Sequence, residues 1–419
     1  MKKYIFDSYD DFYNEYITVR SPQCIECGED CELVDSEVAC YIKDRKLQFS
    51  SMLLLRCKNC GREYLPRYSK QMIDGAYKIV VEANEFQGVF KPLGSKQQFD
   101  YCKEQNYLYD YRDYFNIPGL CEDREHYIEG FLTPVYFEKE ALVYFRVLPE
   151  YEVNIFSESY GKIGKKDLSG RYQYEWDVPF GFNTAGKLIM WLGDIAVLDD
   201  KTKNILKPFN VESDHLLIDS DFYRAQLRCV FSKPIAEKQI LLNKEIFIKN
   251  IKKKYNIDIY HLAEECVMHE KKIKHPVIFS EQNISEVINA YDKVLIEGFD
   301  VEQMRKLYEK LYCEQKRDCN YKKWQSIKLL EAILQMLSCK VLSMDVRMIM
   351  SPLYILHDYR IFFDHLLSLK KMDDIKRHIV ETLGVSSFDE QEDEYSRAAE
   401  PPVQCGVSHL SRRTEPHCL

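Results

Sequence analysis

The sequence predicts an α+β multidomain chain: a small four-cysteine module near the N-terminus, a β-rich middle domain and a C-terminal all-α bundle. Three observations predict it. Two CxxCG motifs have their cysteine pairs separated by 29 residues. From about Gln71 to Pro234, short apolar runs alternate with turn residues, and after Pro234 the apolar period becomes helical. With 419 residues, 46% hydrophobic and 30% charged, the chain exceeds one small domain and is neither low-complexity nor wholly disordered. A net charge of −9 excludes a global positive field, so any nucleic-acid contact must be local.

Residues 1–20 are expected to carry an amphipathic helix, because Tyr9, Tyr13, Tyr16 and Ile17 recur at helical spacing. Asp7, Asp10 and Asp11 interrupt any signal-peptide apolar region, and no apolar run approaches the ~18 residues of a membrane span. The sequence therefore predicts a soluble, cytoplasmic chain without membrane contact. In that compartment thiols stay reduced, and paired cysteines hold metal more readily than they form disulfides.

Residues 21–70 contain Cys24-Ile25-Glu26-Cys27-Gly28 and Cys57-Lys58-Asn59-Cys60-Gly61. In such a knuckle two thiolates converge on one ion, and the following glycine turns the backbone without a Cβ clash. The pair resembles a four-cysteine zinc ribbon, with Cys24, Cys27, Cys57 and Cys60 as ligands of one structural Zn2+ per chain. Cys31 is a competing thiol without a knuckle partner, and four reduced cysteines without metal are the alternative. Leu47 to Arg56 is β-compatible and leads into the second knuckle. The segment holds eight basic and eight acidic residues, so a structural or protein-contact role is expected ahead of DNA binding.

Residues 71–234 should form the β-rich domain, with strands expected at Ala76–Val81, Val135–Phe137, Leu142–Leu148, Glu152–Phe156 and Leu188–Leu192. Asn183-Thr184-Ala185-Gly186 reads as a hairpin turn. Gly161-Lys162-Ile163-Gly164 matches the GxxG loop of KH domains, but the strand-like run before it favours a hairpin loop. Asp194, Glu212, Asp214 and His215 are candidates for an acid–base or metal cluster. The alternative has Asp194 ending a strand and Ser213-Asp214 capping a turn. Gly130-Phe131-Leu132-Thr133-Pro134-Val135 and the stretches Phe182–Asp194 and Asn210–His215 resemble a module of uncharacterised bacterial proteins, some in mobile-element or phage-defence settings. The resemblance spans about 117–232 and transfers no catalytic residue.

Residues 235–396 should form the helical bundle. Ile284, Val287, Ile288, Tyr291 and Leu295 mark one helix, with Asn283 and Glu286 as its cap. Asp300 to Gln303 forms a capping box for the next helix, which carries Met304, Leu307, Tyr308, Leu311 and Tyr312. A long helix through Ile327 and Leu337 should end near Cys339 to Leu342, and Pro352 should start another. On the first helix, Phe247, Ile251 and Tyr255 face inward, so the lysines of Lys244–Lys254 face water or contact RNA phosphates.

Arg360-Ile361-Phe362-Phe363-Asp364-His365 resembles the Arg-x4-His motif of the HEPN family, many members of which are metal-independent ribonucleases acting as dimers. The resemblance implies His365 in proton transfer and Arg360 in stabilising charge on a phosphate. Five residues at 100° place the two about 140° apart on an ideal helix, so convergence needs a helix irregularity or a partner protomer. The alternative makes both ordinary polar neighbours of a core built from Tyr359, Phe362, Phe363 and Leu366. Residues 397–419 lack apolar period and are expected to be a disordered tail; one hypothesis is that an unrelated reading frame or an appended non-native sequence replaces a last helix from 398 onward. The leading expectation for function is a zinc-ribbon protein with a binding or sensing role in host defence, its partner a protein or a second copy of the chain. A HEPN-like ribonuclease is the alternative.

Overall fold

In a computed structural model of the chain the described residues are 1–14, 21–91, 99, 106–121, 128–157, 159–274, 276, 280–312, 317–338 and 346–383. Tyr16, Ile17, Cys339 to Leu342, Asp389 to Glu394 and the tail 397–419 lie outside them. The chain divides into two compact units, Met1–Lys233 and Pro234–Leu419.

Among the described residues the first unit contains two sheets. One is built from β1 (Lys2–Phe6), β2 (Cys31–Ile42), β3 (Arg45–Cys57), β4 (Glu63–Tyr64) and β5 (Gln87–Phe90), in the order β1-β2-β3-β4 with β5 also on β3. The long β2–β3 hairpin pairs Ile42 with Arg45 at its tip and Cys31 with Cys57 at its open end. The apolar run Met52 to Leu55 alternates poorly because both faces of β3 are buried. Leu47, Phe49, Met52 and Leu54 pack against Phe12 and Ile73, whereas Leu53, Leu55 and Cys57 join a second core.

Strand β1 was not foreseen in the sequence, and α1 (Tyr9–Asn14) buries Phe12 while Tyr13 is 59% exposed. Ala76–Val81 is helical: it lies in α2 (Arg67–Glu82), where Ile73, Ala76 and Val80 bury one helical face. That burial overrides the β-propensity of Ile79, Val80 and Val81.

The second sheet is antiparallel, in the order β11-β6-β10-β9-β8-β7, with β6 (Pro134–Phe137), β7 (Tyr151–Ser157), β8 (Tyr160–Lys166), β9 (Tyr174–Phe182), β10 (Leu188–Trp191) and β11 (Asn210–Val211). The Asn183–Gly186 turn joins β9 to β10, with Gly186 at φ +78° and Asn183 Oδ1 accepting from Ala185 N and Lys187 N. Leu142–Leu148 is not a strand: α4 (Ala141–Val147) buries Ala141, Leu142 and Phe145 at helical spacing. Gly161-Lys162-Ile163-Gly164 is not a loop either, since it lies within β8. Its glycines admit aromatic neighbours: a Cβ on Gly161 would lie 2.5 Å from Phe180, and one on Gly164 2.6 Å from Tyr174. The unit also carries α3 (Tyr111–Asn116), α5 (Leu192–Ala196), α6 (Asp200–Leu206) and α7 (Asp221–Arg228). Cys24, Cys31, Leu53, Leu55 and Cys57 share a core with Ile117, Tyr136, Trp191, Phe222 and Tyr223, so the cysteine module and the β-rich segment pack as one body.

The second unit is helical, with α8 (Ala236–Tyr255), α9 (Ala263–Glu270), α10 (Glu281–Asp292), α11 (Val301–Leu311), α12 (Ser326–Ser338), α13 (Val346–Asp364) and α14 (Leu369–Leu383). The cap of α10 is Ser280, whose hydroxyl accepts from Asn283 N, rather than Asn283 and Glu286. Asp300 caps α11, accepting from Glu302 N and Gln303 N. Pro352 sits inside α13 instead of starting it. Val346, Met350 and Leu353 are buried on one stripe across it, and this packing offsets the backbone hydrogen bond that proline removes. On α8, Phe247 and Ile251 face the core as expected, but Lys244 is buried as well. Its ammonium lies 4.7 Å from the Tyr260 ring centroid and 2.5 Å from Glu270 Oε1, leaving Lys249, Lys252, Lys253 and Lys254 as the exposed lysines of the stretch Lys244–Lys254.

Candidate metal centre and buried polar clusters

The β2–β3 hairpin places the two knuckles side by side, since the first precedes β2 and the second follows β3. Each is a tight turn closed by backbone bonds: Gly28 N to Cys24 O at 2.9 Å and Gly61 N to Cys57 O at 3.0 Å. Both glycines are left-handed, at φ +76° and +70°, a conformation that would strain any other residue. The reverse bonds Cys24 N to Glu29 O and Cys57 N to Arg62 O, both 2.8 Å, complete the pair of turns.

The ligand atoms of Cys24, Cys27, Cys57 and Cys60 all lie within 4.8 Å of one another, a group that could hold one metal ion. Cys24 Sγ is 3.6 Å from Cys60 Sγ, and Cys27 Sγ is 3.4 Å from Cys57 Sγ. Metal–thiolate bonds of ~2.3 Å in a tetrahedron put sulfurs ~3.8 Å apart, so the donor set fits such an ion with small adjustments. Among the described residues no other group of three or more His, Cys, Asp or Glu side chains has metal-binding geometry.

The surroundings favour the thiolate at Cys24 and Cys57, whereas at Cys60 the lowering effect of the Arg62 amide is outweighed by burial and the neighbouring sulfurs, which push the thiol up to about 11. The Tyr64 hydroxyl, 3.0 Å from Cys24 Sγ, brings that thiol down to about 6. The amide of Cys60 lowers Cys57. Cys31 and Cys40 differ: burial pushes both up to about 12, so they stay protonated and apolar. Cys31 pairs with Cys57 across the hairpin and is as buried as Cys24 and Cys57, but it does not belong to the group whose ligand atoms lie within 4.8 Å of one another.

A second cluster lies elsewhere in the same unit. Asp113 on α3 has no exposed side-chain surface; its Oδ1 is 2.7 Å from His215 Nδ1, and its Oδ2 accepts from Ser213 Oγ at 2.6 Å. Burial raises Asp113 above the usual carboxylate range. Burial opposes the charged form of His215, but the Asp113 carboxylate more than offsets it and raises the imidazole. His215 takes φ +64°, a left-handed conformation that turns its ring toward α3. Of the residues grouped with His215 in sequence, Asp214 instead binds Asn183 Nδ2 at 3.0 Å and Lys187 Nζ at 3.3 Å. Asp194 lies in the first turn of α5. The sequence missed Asp113: it lies 102 residues from His215 and has no local motif.

The third cluster is in the helical unit. Asp292 ends α10 with no exposed side-chain surface and is followed by a π-helical turn, Lys293–Glu297. The wider turn brings Asp292 and Glu297, five apart, onto one guanidinium: Arg360 Nη1 is 2.7 Å from each. His357, one turn before Arg360 on α13, also reaches Asp292, with Nδ1 at 3.1 Å from Oδ1. Arg360 is therefore held by two carboxylates. His365 is exposed and lies one residue past the end of α13.

No helix among the described residues is long and apolar enough to cross a membrane. Comparison with known protein families, with curated proteins and with solved structures finds no match.

Proposed function

We propose that this chain is a zinc-stabilised binding protein. The observation that carries the reading is the convergence of Cys24, Cys27, Cys57 and Cys60 within 4.8 Å. A tetrahedral set of four sulfurs suits zinc, and a shell filled by four thiolates has no position for water or substrate. Zinc there contributes folding energy, and the activity of the chain lies in what its surfaces contact. The proposed partner is a protein or a second copy of the chain, with RNA at the exposed lysines of Lys249–Lys254 as a further contact. A setting in bacterial host defence is part of the same proposal and is supported only by the sequence resemblance over 117–232.

The ribonuclease reading of Arg360 and His365 has less support. A guanidinium already neutralised by Asp292 and Glu297 is poorly placed to take a phosphate, and His365 stands on the exposed end of the helix. An RNA-cleavage assay without added metal, comparing wild type with His365→Ala, separates the two. The binding reading predicts no His365-dependent cleavage; cleavage present in wild type and lost in the variant would replace it with the nuclease.

A further inference from the structure

The two knuckles are tied to α7 by three ion pairs. Asp30, between the first knuckle and β2, faces two arginines of α7: Arg228 Nη1 at 3.3 Å from Oδ1 and Arg224 Nη1 at 3.6 Å from Oδ2. Lys58, inside the second knuckle, holds Asp219 just before α7 at 2.5 Å. The knuckles are also joined to each other, through Lys58 N to Asp30 O at 3.5 Å and the Arg62–Glu26 ion pair. Asp30 and Lys58 thus keep their positions only while both turns keep theirs.

The first turn of α7 is also fastened to the second sheet. Asp221 Oδ2 accepts from Ser157 Oγ at the end of β7 at 2.9 Å, and Asp221 N donates to Ser159 Oγ at 2.8 Å. Phe222 lies so close to β9 that a Cβ on Gly181 would come within 2.2 Å of the Phe222 Cβ. Tyr223 donates to Pro118 O at 2.7 Å, and both aromatics share the core that holds Cys24, Cys31 and Cys57.

We infer that the metal centre is a clamp on α7, so that metal occupancy sets the docking of residues 217–228 on the second sheet as well as the shape of the knuckles. The inference rests on the zinc reading above. Without an ion, four thiols confined to this volume lose what holds them together, and the first charges to shift are Asp30 and Lys58. Arg228 then faces water instead of Asp30, and Arg224 keeps only Asp221, whose Oδ1 lies 3.1 Å from its Nη2. The β2–β3 tip and β5, on the far side of the sheet, do not depend on these pairs.

Hydrogen exchange of the full chain, before and after removal of metal by a chelator, tests this, with metal content measured on the same samples. Loss of one equivalent of metal should raise exchange at 21–31 and 57–64 and also in α7, while Val38–Phe49 stays protected. Metal loss with faster exchange confined to the knuckles would overturn the clamp and leave the zinc reading standing; a chain that never carried metal would overturn both. Asp30→Asn gives a test that keeps all four ligands. It should retain one metal per chain yet raise α7 exchange roughly fivefold, the effect of losing two partly exposed ion pairs. Unchanged α7 exchange in that variant would also overturn the clamp.

Discussion

Asp113 and His215 meet at 2.7 Å, a fully buried carboxylate from α3 against an imidazole in a left-handed loop position. The pair fastens the 213–215 loop to α3, and Ser213 occupies the other carboxylate oxygen at 2.6 Å. Breaking it leaves buried polar groups without partners. Asp113→Ala should cost about 3 kcal/mol in urea unfolding, whereas Asp113→Asn, which keeps a hydrogen-bonding side chain, should cost less.

The same pair sets a pH dependence. Both groups have folded-state values above their ordinary ones, so the folded chain binds more protons than the unfolded chain. For His215 the resulting stability is fully present below about pH 6.5 and is lost as pH rises through its raised value. The raised Asp113 acts in the same direction. Urea unfolding between pH 6 and pH 8 should show wild type losing more stability than His215→Gln; equal slopes would show that the pair does not titrate as described.

Arg360 and His365, one motif in the sequence, should separate in a stability measurement. Arg360→Ala leaves the buried Asp292 with His357 alone and should cost about 3 kcal/mol. His365→Ala, at an exposed position beyond the helix, should stay within about 0.5 kcal/mol of wild type. Thermal unfolding of both variants decides it.

Gly181→Ala places a methyl within 2.2 Å of the Phe222 Cβ and 3.1 Å of Ser159 O. Neither the Phe222 Cβ nor a backbone oxygen can swing aside. The variant should be destabilised by about 2 kcal/mol in chemical unfolding, because α7 must move off β9 to admit the methyl.

What the sequence showed and what it hid follow from the range of the interactions. The cysteine set was legible because each knuckle is a five-residue signal with its own glycine. The Asn183–Gly186 turn and the Asp300 cap were legible for the same reason, being bonds between near neighbours. Ala76–Val81 and Leu142–Leu148 read as strands because β-branched and aromatic residues dominate them, whereas the burial that makes them helical comes from distant partners. Asp113 and Asp292 were invisible as centres: what marks them is enclosure, and their partners lie 102 and 68 residues away. The π turn after Asp292 has no residue signature of its own, yet it decides where Arg360 points.

The measurement that bears most directly on the central claim is metal stoichiometry in purified protein, for wild type, Cys57→Ser and Cys31→Ala. The account predicts one zinc per chain in wild type, retention in Cys31→Ala and loss in Cys57→Ser. Less than one ion per wild-type chain, or zinc that is lost with Cys31 and kept without Cys57, would contradict it.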